Sequence, residues 1–225
     1  MRKQIKLEIK DYDKVWIVSD LHLNQASGVI LNKRGYAAMA DHDAFIKNFW
    51  HENITKDSLV INLGDITFND PKGEYFEKVS KWPAKHHFLL WGNHNSGSKD
   101  AYRNAMKAVF NDEDGEYYPM QHNNIIFIGN QVEMKLDHKN LVLSHFPLAI
   151  HNNCGKGWLH LCGHSHNTFE STRYSTEIGL TCDCGVECAL EYSGNTKPFF
   201  EWEDIKQIMS KKKFVKKDHH DKKTT

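Results

Sequence analysis

Apolar residues along the chain fall into short runs, and several of these runs end in the same kinds of polar residue. Residues 59–63 (LVINL) are apolar and β-branched with one interruption, which predicts a buried strand. Gly64 permits a sharp turn, and Asp65 then projects from the carboxyl end. Four more runs repeat the form. Residues 15–22 (VWIVSDLH) end in Asp20 and His22, and residues 88–94 (FLLWGNH) end in Asn93 and His94. Residues 141–145 (LVLSH) end in His145, and residues 158–166 (WLHLCGHSH) end in His164 and His166. In open α/β sheets, ligands bind at the carboxyl edge of the strands. Five runs that deliver Asp, Asn or His to one edge predict a metal site.

Between these runs the period lengthens. Residues 23–40 show no clear period and are expected to loop over the sheet edge. Asp41 or Asp43 is expected to cap a helix whose apolar stripe is Phe45, Ile46, Phe49 and Trp50. A turn-rich loop (Asn69, Asp70, Pro71, Gly73) leads to a short helix near residues 75–81, ended by Pro83. Ser98 is expected to cap a further helix, with Tyr102, Ala105, Met106 and Val109 on one face. This β-α-β-α-β-α order predicts a mainly parallel sheet. Residues 124–129, 132–137 and 139–144 then read as an antiparallel meander in a second sheet. A loop over 146–157, a strand over 158–162, a last strand within 179–188 and a closing helix over 202–210 complete the chain. With no internal repeat and no linker, residues 1–210 are expected to form a single domain, and 211–225 a basic, disordered tail.

Composition narrows the class. A chain of 225 residues with 40% hydrophobic content can bury a sizeable core. No apolar stretch is long enough to span a bilayer, and the charged start lacks the apolar segment of a signal peptide. A soluble, cytoplasmic protein is the expectation. The five cysteines (Cys154, Cys162, Cys182, Cys184, Cys188) are then expected as reduced thiols. The spacing of Cys182, Cys184 and Cys188 does not match paired C-x₂-C zinc ligands, and Cys184 and Cys188 are expected to face a core. His160 is expected in the core, while His151 stays open between a substrate contact and a surface position. Seven lysines and two aspartates give the tail +5, so the body of this neutral chain carries −5. The tail could touch a polyanion, but an acidic body does not indicate a nucleic-acid groove.

Carboxylate, amide and imidazole ligands without thiolate suit Mn²⁺, Fe, Zn²⁺ or Ni²⁺. Two such ions about 3.5–4 Å apart can grip both the attacking and the leaving oxygen of a phosphoryl group. The pair needs a bridging carboxylate, and Asp65, with candidate ligands before and after it, is the natural one.

At these residues the chain resembles the calcineurin-like metallophosphoesterases, most closely their small single-domain prokaryotic members. Their pattern stands here as Asp20-Leu21-His22, Gly64-Asp65, Gly92-Asn93-His94-Asn95, His145 and Gly163-His164-Ser165-His166, in order over residues 13–190. The resemblance implies a four-layer αββα sandwich, two packed β-sheets with helices outside. It implies one metal held by Asp20, His22, Asp65 and His166, and a second held by Asp65, Asn93, His145 and His164. It also places His94 as proton donor or oxyanion stabiliser. Asn95 departs from the family's usual acidic residue, and the histidine-containing loop of the small members has no counterpart in residues 24–40.

The expected activity is phosphoester hydrolysis by in-line attack of hydroxide held on two divalent ions, Mn²⁺ foremost. A small phosphodiester or nucleotide is favoured over a phosphomonoester. The alternative is a catalytically silent metal-binding scaffold or protein-interaction module on the same fold.

Overall fold

The computed structural model describes residues 4–26, 28–68, 70, 72–94, 120–171 and 179–212. Its strands are β1 (Ile5–Leu7), β2 (Val15–Val18), β3 (Leu59–Asn62), β4 (His86–Leu90), β5 (Met120–His122) and β6 (Ile125–Gly129). They continue as β7 (Gln131–Leu136), β8 (Lys139–Ser144), β9 (Leu159–Cys162), β10 (Thr181–Asp183) and β11 (Phe200–Glu201). The helices are α1 (Gly28–Lys33), α2 (Met39–Asn53), α3 (Glu74–Val79), α4 (Thr168–Ser171), α5 (Val186–Ser193) and α6 (Trp202–Lys211).

The apolar runs are unbroken because both their faces are covered. In β2, Val15 and Ile17 face the space between two sheets, while Trp16 and Val18 face the helices. The larger sheet has the order β11-β2-β3-β4-β6-β5, with β2, β3, β4 and β6 parallel and the edge strands β5 and β11 antiparallel. The smaller has the order β1-β7-β8-β9-β10 and is also mixed. Ile17, Ile61, Leu63 and Leu90 from the larger sheet share one buried cluster with Met134, Leu136, Leu141, Leu143 and Leu161 from the smaller. On the other face of the larger sheet, Trp16, Val60 and Leu89 pack with Ile46 and Trp50 of α2 and with Phe76 and Val79 of α3. The structure is therefore mixed α/β, with two packed mixed sheets and helices.

Four expectations need correction. Residues 23–40 contain α1, which buries only Ile30 and Leu31 and is too short to show a period. Neither Asp41 nor Asp43 caps α2, which starts after Ala38 with no side-chain cap. Asp43 instead accepts the Asn24 backbone N–H at 3.0 Å, tying the loop after β2 to this helix. The third correction is that residues 124–129 do not join the second sheet. Ile125 and Phe127 face the helices and Ile128 the inter-sheet core, so β6 lies inside the larger sheet beside β4. Only β7 and β8 form the antiparallel pair. Finally, the stretch 179–188 is strand only to Asp183. The Asp183 carboxylate accepts the Gly185 N–H at 2.8 Å, a turn from which α5 starts.

Cys184 and Cys188 are buried in the inter-sheet cluster as expected, and no disulfide joins the five cysteines among the described residues. His160 is fully buried, with Nδ1 on the Val142 carbonyl and Nε2 accepting the Leu148 N–H. No helix among the described residues is long and apolar enough to cross a membrane. The expected helix after Ser98, Asn95 and the tail beyond Lys212 lie outside the described residues.

Candidate metal centre

Parallel pairing brings the carboxyl ends of β2, β3 and β4 together, and it does the same for β8 and β9 in the facing sheet. Asp20 and His22 follow β2, Asp65 follows β3, and Asn93 and His94 follow β4. His145 follows β8, and His164 and His166 follow β9. All eight predicted residues meet at this one end of the two sheets.

Tight turns aim them inward. Asp20 (φ 56°), His22 (φ 49°), Asp65 (φ 55°), His164 (φ 69°) and His166 (φ 49°) all adopt the left-handed conformation. Non-glycine residues held there cost free energy and persist where the surroundings enforce them, often at functional sites. Backbone bonds supply the enforcement: Asp20 N–H to the Gly64 carbonyl and His22 N–H to the Asp65 carbonyl, both at 3.0 Å, and Gly163 N–H to the His145 carbonyl at 2.9 Å. Gly92 is required because a Cβ there would stand 2.0 Å from Asp65 Oδ1.

Each aspartate has one oxygen satisfied and one bare. Asp65 Oδ1 accepts the His94 backbone N–H at 2.8 Å, and Asp20 Oδ2 accepts that of His164 at 2.9 Å. The remaining oxygens, Asp65 Oδ2 and Asp20 Oδ1, are buried and have no hydrogen-bond partner among the described residues. Each lies 3.7 Å from His22 Nε2, which is equally buried and unpartnered. That separation is too long for a hydrogen bond. It suits donor atoms arranged around a cation between them.

His145 extends the pattern. Its Nδ1–H donates to the Leu63 carbonyl at 3.0 Å, which leaves a lone pair on Nε2 of the neutral ring. That nitrogen faces Asn93 Oδ1 at 2.8 Å and Asp65 Oδ2 at 3.3 Å. The same Asn93 oxygen stands 2.9 Å from His164 Nδ1. Donor atoms of Asp20, His22 and His166, and of Asp20, Asp65 and His145, lie close enough together to hold a metal ion. Asp20 belongs to both groups, although the sequence reading shares only Asp65. The bare oxygens of both carboxylates lie at the same distance from one nitrogen, His22 Nε2.

Electrostatics agree with a centre built for positive charge. Burial would raise the Asp20 carboxyl, but the imidazoles of His22, His145 and His166 outweigh it and hold Asp20 well below the usual carboxylate range. Burial lowers His145, yet the Asp65 and Asp20 carboxylates prevail and raise it above an ordinary imidazole. Burial dominates at His22 and lowers it.

His94 occupies the rim. Its ring centroid lies 4.7 Å from Phe68 and 5.3 Å from His22. On the side of His164, the half-exposed Phe146 ring lies 4.5 Å away. His151 is buried against the His160 ring at 5.2 Å, so it is not a surface histidine.

Sequence reasoning missed Arg34 and Glu187. Arg34 sits just past α1 in the segment read as a loop, and Glu187 sits in α5 where a strand was expected. Both are buried beside the centre. A charged residue in a short stretch without period carries no sign of burial in its sequence.

No family model matches the chain. It is similar to the Gene 66 protein of Mycobacterium phage L5, 30% identical over 138 residues, which are 59% of this chain and 62% of that protein. The chain thus spans less than two thirds of that relative's length. The Gene 66 protein of Mycobacterium phage D29 is 24% identical over 172 residues, 68% of this chain and 78% of that protein. The crystal structure of AQ665, a protein of unknown function from Aquifex aeolicus, matches with a TM-score of 0.57 at 16% identity. The match covers 87% of this chain and 98% of that one, a likeness of fold.

Proposed function

We propose that this chain is a phosphoesterase of the calcineurin-like kind, dependent on two divalent metal ions, with the four-layer αββα sandwich of that family. The observation that carries the reading is the pair of half-used carboxylates. Among the described residues, Asp20 Oδ1 and Asp65 Oδ2 are buried without a hydrogen-bond partner, each 3.7 Å from His22 Nε2. Buried carboxylate oxygens without a partner are destabilising unless a cation fills the space between them. Asp20, His22, Asp65 and His166 would hold one ion, and Asp65, Asn93, His145 and His164 the other. The donor set has oxygen and imidazole but no thiolate, which suits Mn²⁺ before Zn²⁺, Fe or Ni²⁺. Bound there, two divalent ions supply an activated water and neutralise charge on the phosphoryl oxygens.

The protein's own groups do the rest. The Asp65 carboxylate ties the turn after β3 to the turn after β4 through the His94 N–H, and so anchors the backbone that carries the His94 ring. That ring, at the rim against Phe68, can give a proton or a hydrogen bond to the leaving oxygen. Phe68 and Phe146 put aromatic faces beside His94 and His164. Such faces suit a small phosphodiester with a planar base next to its phosphate.

The test is hydrolysis of a panel of nitrophenyl, alkyl and cyclic nucleotide phosphodiesters and phosphomonoesters, with and without Mn²⁺. Metal-dependent turnover, higher on diesters, is expected. Two bound ions with no turnover on any ester would leave the centre a scaffold and overturn the enzymatic reading.

A further inference from the structure

Arg34 is a cation almost without solvent, its side chain 0% exposed. Its Nη2 donates to the Asp20 carbonyl at 2.6 Å and its Nη1 to the Leu21 carbonyl at 3.0 Å. The guanidinium also grips Glu187 with both prongs, Nε to Oε1 at 3.0 Å and Nη2 to Oε2 at 3.1 Å. Glu187 Oε1 in turn accepts the His166 Nδ1–H at 2.9 Å. Burial would raise the Glu187 carboxyl, but His166 and Arg34 hold it down to about 2.

A buried ion pair adds little net stability, because desolvation offsets most of its attraction, and apolar residues could fill the same volume. What the pair does add is geometry. One end holds the carbonyls of the strained turn that carries Asp20 and His22, and the other holds the ring of His166. These three are the donors of one metal-holding group. The donors of the second half, Asn93, His145 and His164, bond to one another, to Leu63 and to Asp20 but not to this pair.

We infer that Arg34 and Glu187 are positioning residues for the Asp20–His22–His166 half of the centre. Glu187 selects the tautomer of His166 with hydrogen on Nδ1, which leaves Nε2 as the donor atom. Arg34 locks Glu187 to the turn after β2, so that ligands from the two facing sheets keep one spacing. The inference rests on the metal-centre reading for its ligand, but not for the tautomer.

The experiment has two arms on the full chain. The first titrates Mn²⁺ calorimetrically into the wild type and Glu187→Gln, with thermal melting of both metal-free proteins. The glutamine NH₂ must point at a donor, either Arg34 or His166, so the bond pattern cannot be reproduced. One of two binding events should weaken about 10–100-fold while the other is kept. No change, or equal weakening of both, overturns the inference. The second arm reads the ring nitrogens of His166 by ¹⁵N NMR in the metal-free wild type, at a pH where the ring is neutral. Hydrogen on Nδ1 is expected; hydrogen on Nε2 overturns the inference even if the variant fails to fold. A wild type that binds no Mn²⁺ sinks the metal centre by itself, and the nitrogen spectrum still decides the positioning role.

Discussion

His145 Nε2 stands 3.3 Å from Asp65 Oδ2 while its own Nδ1 is committed to the Leu63 carbonyl. The nitrogen lone pair and the carboxylate oxygen therefore confront each other across a buried gap. A proton on His145 relieves this, and so does a cation held by both. A site that binds metal exchanges the first for the second, so metal uptake should release protons.

Metal stoichiometry follows from the two carboxylates. The wild type should hold two divalent ions per chain, and Asp65→Asn should weaken both, since Asp65 stands in both proposed ligand sets and its Oδ2 lies near both His22 and His145. Elemental analysis of the purified proteins checks this. A single tightly held ion in the wild type, or two in the variant, would remove the shared-ligand assignment.

His94 separates binding from turnover. Its backbone N–H, not its ring, contacts Asp65, so His94→Ala should keep both ions. Turnover on alkyl phosphodiesters should fall by about 10²–10⁴, the usual worth of a general acid. The loss should shrink for nitrophenyl esters, whose leaving group needs little protonation. Equal losses on both substrates would point to charge stabilisation instead.

Gly92 tests the close approach beneath Asp65. A Cβ there would meet Asp65 Oδ1 at 2.0 Å and Asp65 N at 2.5 Å, so Gly92→Ala must displace the turn after β3. Loss of metal binding and more than about 1 kcal/mol of stability are expected. Gly28→Ala, where the added atom makes an ordinary 3.4 Å contact with Asn32, is the control.

His87 predicts acid sensitivity remote from the centre. It lies fully buried beside the Trp50 ring, and burial pushes its imidazole down to about 3. An unfolded histidine takes up a proton below about pH 6.5. Between these values the unfolded chain binds more protons, so stability falls as pH falls, by at most about 1.4 kcal/mol per unit from this residue. Urea unfolding across this range should show the slope, and His87→Gln should reduce it. An unchanged slope in the variant would assign the effect to other groups.

The sequence alone determined which residues form the inner strands and which side chains stand at their ends. Apolar runs such as LVIN followed by Gly64 and Asp65 encode a buried strand and its exit locally, and the order of Asp, Asn and His follows from five such runs. Other features were decided only by tertiary structure. The strand at 125–129 has an apolar pattern that suits either sheet, and only parallel pairing with β4 places it in the larger one. Arg34 looks like a surface cation until folding brings the Asp20 and Leu21 carbonyls and Glu187, from opposite ends of the chain, around its guanidinium. Backbone preference and burial pattern act over a few neighbouring residues and are written in the sequence. The ion pair that buries Arg34 and the bond from the His164 N–H to Asp20 join groups more than a hundred residues apart, which meet only once the two sheets have packed.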